Sequence, residues 1–317
     1  MRRGRGRPLD GWLVVDKPAG MTSAQIVNRV RSLFGAAKAG HGGTLDPLAT
    51  GVLPVAFGAA TKTIPYLVDG CKRYRFTLCW GEARDTDDAD GTVIGRAEAR
   101  PGEVEIRTAL ADFRGEIMQV PPSFSAVKVS GQRAYDLARA GAPPVLQARP
   151  ARVIEFTLLG VADHDHAEFE VACGKGVYMR SLARDLAVRL GTLGHVAALR
   201  RLSVGPFTEA RAIPLDKIKQ REDRSLAFPD LLLPVATALA DIPALVLTRA
   251  EAASVGRGQA ISLAQLMGRI PEQADPQGGA IRVLVGEEVF GICRLSDGWL
   301  YPERLLARRG GPDVDHG

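Results

Sequence analysis

The stretch Gly40-His41-Gly42-Gly43-Thr44-Leu45-Asp46-Pro47-Leu48-Ala49-Thr50-Gly51-Val52-Leu53-Pro54 constrains this chain more than any other. It sets one carboxylate, Asp46, in a short loop crowded with glycine and proline, with an imidazole upstream at His41. Gly42 and Gly43 carry no β-carbon, so another backbone, protein or nucleic acid, can approach closely. Pro47 biases Asp46 toward extended backbone and so restrains its side chain. Loops of this composition on a rigid scaffold often carry function. Local chemistry also allows Asp46 to cap a short helix, with Pro47 at its first position and Gly51 closing it. A capping carboxylate still has one free oxygen, so the two readings are compatible.

The 317 residues suffice for one large domain and a smaller one. Hydrophobic residues at 46% and charged ones at 24% describe an ordinary globular chain. The richest apolar run, Leu226 to Leu247, is broken by Pro229, Asp230, Pro234, Asp241 and Pro243, too often to span a bilayer. The basic N-terminus lacks the apolar core of a signal peptide, which points to the cytoplasm and to no membrane partner.

The net charge of +5 is unevenly placed. Residues 1–40 carry eight basic side chains against Asp10 and Asp16, so the rest of the chain is close to neutral. Arg2, Arg3, Arg5 and Arg7 read as a solvated arm that adds salt-sensitive attraction to phosphates. Cys71, Cys79, Cys173 and Cys293 form no metal-ligand spacing, which points to reduced thiols and no metal. Asp85, Asp87, Asp88 and Asp90 before Gly91 imitate a calcium loop, but Ala89 and Arg96 break its register. That segment reads as an acidic surface loop.

Periodicity places the elements. Trp12–Val15 and Val52–Phe57 read as buried apolar segments, and Tyr74–Trp80 alternates as a strand. Thr22 or Ser23 caps a helix with an apolar face of Ile26, Val27, Val30, Leu33 and Phe34. Glu103–Phe113 reads as helical, and Val153–Leu159 with Ala167–Cys173 as a hairpin. After Gly176 a helix presents Met179, Leu182, Ala183, Leu186 and Leu190 on one face, with Arg180 in its first turn. A cation there opposes the helix dipole, so an anion is expected beside it unless Arg180 is an ordinary surface residue. A Pro-rich, charged linker is expected around Asp216 to Pro243. Beyond it, short strands joined by Gly286-Glu287 and Asp297-Gly298 turns predict a small β-barrel.

The segment His41 to Lys62 closely resembles the catalytic motif of the TruB-type tRNA pseudouridine synthases. Asp16-Lys17-Pro18-Ala19-Gly20-Met21-Thr22-Ser23, Lys72-Arg73-Tyr74-Arg75-Phe76 and Gly176-Val177-Tyr178-Met179-Arg180-Ser181 match the same family in order. The resemblance runs from about Gly11 to about Leu306. It implies an α+β pseudouridine-synthase fold with a mixed, mainly antiparallel central sheet and a small C-terminal PUA-like β-barrel. The corresponding division is a disordered arm at 1–10, a catalytic domain at 11–240, a PUA-like RNA-binding domain at 244–308 and a disordered tail at 309–317. An RNA-gripping insertion is expected at about 121–150.

The resemblance also implies roles. Asp46 is the catalytic group and Arg180 its partner, holding it ionised by lowering its pKa and fixing its direction. Tyr74 stacks on the target uracil, and Tyr178 lies beside the arginine, although either ring could simply pack in the core. His41 fills the stack left by the extruded base, its alternative being a hydrogen bond to local backbone. Lys62 falls near the active site and Leu199 beside the base. Gly42, Gly43, Thr44, Lys17 and, in the insertion, Lys128 are further RNA-contacting candidates. Arg200 and Arg201 either meet phosphate or are solvated on a strand edge.

The implied reaction is isomerisation of the T-loop uridine of tRNA, conventionally position 55. It needs no redox change or energy input, and no cofactor is expected; neither GxxxxGK[ST] nor a strand-linked GxGxxG is present. The T-arm stem-loop is the expected partner, with no obligate protein partner and a monomeric chain. The alternatives are a guide-dependent dyskerin-type synthase and a non-catalytic tRNA-binding or tRNA-folding protein.

Overall fold

Period-two patterning shapes the larger part of the molecule. The structure, a computed structural model, describes residues 6–129, 131–142, 144–220, 228–275 and 277–306. Its main sheet begins with β1 (Gly11–Lys17), β2 (Ala39–His41), β3 (Thr50–Phe57) and β4 (Lys72–Trp80). A hairpin of β5 (Glu82–Arg84) and β6 (Val93–Arg96) then leaves the sheet, and β7 (Gly115–Gln119) returns to it. A smaller hairpin, β8 (Lys128–Val129) and β9 (Gln132–Arg133), sits in the expected insertion. The sheet is completed by β10 (Arg149–Val161), β11 (His166–Cys173), β12 (Gly194–Val204), β13 (Phe207–Thr208) and β14 (Ile213–Pro214).

The strand order is β14-β1-β3-β12-β4-β11-β10-β7, with β2 added to β3 and β13 to β12. Only β1 with β14 and β3 with β12 run parallel, so the sheet is mixed and mainly antiparallel. In β4, Tyr74, Phe76, Leu78 and Trp80 face the core while Arg73 and Arg75 face water and pair with Glu155 and Glu170. β3 is apolar on both faces because both are covered.

The two longest described helices pack on the core side. α1 (Ser23–Leu33) starts at a capping box in which Thr22 and Gln25 satisfy each other's backbone N–H, and it buries Ile26, Val27 and Val30. Its partner is α5 (Met179–Arg189), reached after α2 (Ile64–Asp69), α3 (Glu103–Ala109) and α4 (Ala134–Arg139). α5 buries Met179, Leu182, Ala183 and Leu186 against the sheet. On the opposite face, α2 and the 3-10 turn Val235–Leu239 cover Trp12, Val14, Val52 and Phe207.

The segment expected to be a linker is instead part of this packing. Leu215 and Ile218 of α6 (Leu215–Gln220) are buried in the main core. Leu233 exchanges two backbone hydrogen bonds with Trp12, at 2.7 and 2.8 Å. The apolar residues between the prolines cover an edge that β1 would otherwise leave open. The arm also differs at its inner end: Arg7 bridges Ala36, with backbone bonds to Gly35 and Ala37. Arg2, Arg3, Arg5 and the tail at 309–317 lie outside the described residues.

The C-terminal sheet comprises β15 (Ala244–Val246), β16 (Ile261–Ser262), β17 (Ala280–Val285), β18 (Glu288–Ser296) and β19 (Trp299–Leu305), in the order β15-β17-β18-β19-β16. Its end strands do not pair with each other, so it is a curled half-barrel rather than a closed barrel. With α7 (Arg249–Gly256) it encloses its own core of Leu245, Val255, Ile281, Val283, Leu295 and Leu300. Asp297 and Gly298 both have positive φ, the backbone demanded by the tight β18–β19 hairpin. Among the described residues, no helix is long and apolar enough to cross a membrane.

Candidate active site

The Asp46 loop is held from beneath by two buried cations. Lys17, at the end of β1, is fully buried, and its Nζ donates to the carbonyls of Pro18, Met21 and Pro47 at 2.9, 2.7 and 3.1 Å. Burial lowers its pKa to about 8, although nearby Asp46 raises it. Lys17 is therefore a brace within the protein and not a surface contact for RNA. Arg201, 1% exposed, donates from Nε to Val52 at 2.8 Å and from its two terminal nitrogens to Thr44 and Gly43 at 3.3 and 3.0 Å. The expectation of a phosphate-binding or solvated Arg201 is thus overturned. Arg200, on the other face, pairs with Asp16 and Glu209.

Other contacts fix the loop's path. The buried Ser23 hydroxyl accepts from Leu45 N–H at 2.8 Å and donates to the Leu45 carbonyl at 3.1 Å, so the residue before Asp46 is held at both polar groups. Gly51 has φ +98°, and a β-carbon there would lie 2.2 Å from the Arg201 carbonyl oxygen. Gly51→Ala is expected to destabilise the fold by about 3 kcal/mol, measured by urea unfolding, because both backbone strain and a backbone clash must be relieved. At Gly42 a β-carbon would strike Leu67 of α2 at 2.5 Å, so the close approach made possible there is made by the protein itself. Asp46 caps no helix: Ala49 N–H bonds to its carbonyl in a turn, and its side chain turns elsewhere.

That side chain meets Arg180. Asp46 Oδ2 lies 2.9 Å from Arg180 Nε, and Asp88 Oδ2 lies 3.6 Å from the same nitrogen. The terminal nitrogens of Arg180 donate to the carbonyls of Thr86 at 3.0 Å and Phe124 at 2.9 Å. Arg180 is 4% exposed, whereas the Asp46 side chain remains 35% exposed. One buried guanidinium thus aims a carboxylate that substrate can still reach. Burial pushes the Asp46 carboxyl above its usual value; Arg180 pulls it down, Asp88 pushes it further up, and Lys17 pulls it down. The expected lowering by Arg180 is real, but desolvation outweighs it.

The Asp85–Asp90 segment is a surface loop at Asp85 and Asp90, which are exposed, but not at its centre. Asp88 is 5% exposed, its Oδ1 accepts from the Thr86 hydroxyl at 2.6 Å, and Asp87 pairs with Arg184 at 2.8 Å. The loop docks on β12 through hydrogen bonds from Ala89 N–H to the Val196 carbonyl and from Val196 N–H to the Asp87 carbonyl. Asp87 and Asp88 are thereby turned inward onto Arg184 and Arg180 of α5, while Asp85 and Asp90 stay exposed.

Residues 31–179 match the family model described as TruB family pseudouridylate synthase, N-terminal domain, and residues 180–240 match the tRNA pseudouridylate synthase B C-terminal domain. The chain belongs to the TruB family. It is 65% identical to a protein named tRNA pseudouridine synthase B from Gluconacetobacter diazotrophicus, covering 96% of this chain and 100% of that one. Proteins of the same name from Rhodospirillum rubrum and Caulobacter vibrioides are 50% and 44% identical, each covering 96% of this chain and 99% and 98% of theirs. The fold is shared with a chain of a Cbf5-Nop10-Gar1 complex, at TM-score 0.74 and 24% identity over 94% of this chain and 85% of that one. It is also shared with a chain of an H/ACA RNP bound to a substrate RNA, at TM-score 0.73 and 21% identity over 98% and 92%.

In this TruB chain the remaining candidates divide into two groups. Tyr74, Leu199 and Arg201 face the same side of the sheet, since Tyr74 pairs with Arg201 and Phe76 with Leu199. Tyr74 is 9% exposed; burial raises its pKa, and the Arg201 guanidinium beside it opposes that. Tyr178 is the residue before α5 and is half-buried, its pKa raised by burial and opposed by Arg180. His41 ends β2, and its buried Nδ1 has no hydrogen-bond partner among the described residues, so the backbone-bonded alternative fails at that atom. Burial and Arg201 lower its pKa, which favours the neutral ring.

Lys62 and Lys128 do not join this centre. Lys62 Nζ donates to the Leu305 carbonyl at 2.9 Å, tying its 3-10 turn to β19 of the C-terminal sheet. Lys128 is exposed on β8, and Thr44 is exposed with its carbonyl held by Arg201. Sequence reading missed the inward roles of Asp88, Thr86 and Arg201. For Arg201 a signal existed: period two puts it on the face of buried Leu199.

Proposed function

We propose that this chain isomerises the T-loop uridine 55 of tRNA to pseudouridine, with Asp46 as the reacting carboxylate. The observation that carries this reading is the Asp46–Arg180 pair: a reachable carboxylate held at 2.9 Å by a buried, fully engaged guanidinium. The target uridine is extruded from its loop, at a cost of a few kcal/mol, before the carboxylate meets it. Tyr74 and Leu199 offer a ring and an apolar side chain to the base, and Tyr178 borders it on the arginine side. The neutral His41 ring replaces the lost stacking. Ionised Asp46 then assists cleavage of N1–C1′; the base rotates, C5–C1′ forms, and the C5 proton is lost as N1 gains one.

We read residues 11–240 as the catalytic unit, with the insertion at about 121–150, and 244–308 as a PUA-like RNA-binding unit. The separate cores of the two sheets support this division. Exposed Trp299 and Tyr301 on β19, with Arg304 on the same strand and Arg294 on neighbouring β18, support RNA contact by the second. The chain acts alone on this reading, with the T-arm stem-loop as its partner. The test is incubation of the purified chain with an unmodified T-arm RNA, without cofactor or guide. Conversion of the single loop uridine is expected. Binding without conversion, even of full-length tRNA, would move the chain to the guided or folding-factor alternatives.

A further inference from the structure

Gln119 ends β7, and its side chain does the work of one more backbone bridge. Oε1 accepts from the Tyr178 N–H at 2.8 Å, and Nε2 donates to the Tyr178 carbonyl at 3.1 Å. The residue is 2% exposed, so neither bond has water as a ready substitute. Tyr178 holds the N-cap position of α5 and makes no side-chain cap of its own. Arg180 lies two residues further on.

The neighbouring residues extend the same attachment. The Val120 carbonyl accepts from the Ser181 hydroxyl at 2.8 Å and from Arg184 at 2.9 Å. The Phe124 carbonyl accepts from Arg180 itself. The first turn of α5 is therefore set against the end of β7 and the root of the insertion. The hydrogen-bond partner that Arg180 takes at Thr86 belongs to a different loop, so Gln119 does not act through that contact.

We propose that Gln119 is a positioning residue for the reaction: through its paired hydrogen bonds to the Tyr178 peptide it keeps the start of α5, and with it the Arg180 guanidinium, in register with the Asp46 carboxylate. This rests on the assignment of Asp46 as the reacting group. The charged groups around Asp46 are Arg180 from α5, Asp88 from the β5–β6 loop and Lys17 from β1, and the titratable phenols of Tyr74 from β4 and of Tyr178 also face it. Of the charged groups, Arg180 alone depends on the Gln119–Tyr178 bonds. Loss of those bonds loosens the one guanidinium that draws the Asp46 pKa down.

The test uses Gln119→Met, which keeps the volume and removes both hydrogen bonds, in the full chain. Single-turnover rates at saturating enzyme are measured against pH on a T-arm RNA, together with RNA affinity. The saturated rate is expected to fall about 10- to 100-fold with RNA affinity within about twofold of wild type. The acid limb of the pH profile is expected to move to higher pH. A rate loss with the acid limb unmoved overturns the proposal, as does an unchanged rate or a loss of affinity alone. Gln119→Glu, which keeps the acceptor for Tyr178 N–H but loses the donor, is read by the same criteria if Gln119→Met gives no cooperative melt. Asp46→Asn is run beside them: if it converts RNA like wild type, the failure belongs to Asp46 and not to Gln119.

Discussion

Asp46→Asn is expected to bind T-arm RNA with wild-type affinity and to lose pseudouridine formation by about 10⁴-fold or more, the scale of removing a reacting group while its supports remain. The substitution is nearly isosteric, and the loop does not depend on the charge. Its path is set by Ser23, Lys17 and Arg201 acting on main-chain groups of Leu45, Pro47, Gly43, Thr44 and Val52. Stability should therefore hold or rise. The folded pKa of Asp46 lies above the unfolded value of 3.8, so the folded state binds its proton more tightly. The stability from this group is full below 3.8 and is lost as pH rises through the folded value, so at neutral pH the ionised side chain costs stability that Asn does not. Thermal melting, RNA binding and product formation on one preparation check all three parts. Retained activity would return Asp46 to a purely structural role.

Arg180→Met is expected to lower the saturated rate by about 100-fold or more and to destabilise the fold by about 3 kcal/mol. The guanidinium makes four contacts that Met cannot make: Asp46, Asp88, and the carbonyls of Thr86 and Phe124. Without it, Asp46 and the buried Asp88 face each other with no cation between them. The Asp46 pKa, already raised by burial, then rises further, and residual activity appears only toward higher pH. Arg180→Lys should recover part of the charge effect and little of the geometry, because an ammonium cannot reach both carbonyls while facing Asp46. A pH profile of each variant against wild type separates the two effects. An acid limb that stays at its wild-type position in Arg180→Met would refute the electrostatic coupling.

What could be read along the chain was whatever depends on neighbours in sequence. Alternation marked β4, the Thr22 cap and its apolar face marked α1, and glycine and proline marked the Asp46 loop as special. The family motifs then named Asp46, Tyr74 and Arg180 in order. Charged residues with distant partners were misjudged, because a charge in isolation belongs in water and only a pre-set partner makes its burial tolerable. Lys17 looked like an RNA contact until Pro47, 30 residues away, took its proton donor. Arg201 meets Gly43 across a separation of 158 residues, and Asp87 and Asp88 turn inward because Arg184 and Arg180 wait there. Gln119, ordinary in sequence, matters because the fold lays it beside the Tyr178 peptide. The candidates for the reacting groups were thus legible in the chain itself. Their protonation, direction and support were decided by tertiary structure, since desolvation and hydrogen-bond geometry exist only once segments far apart in sequence have packed together.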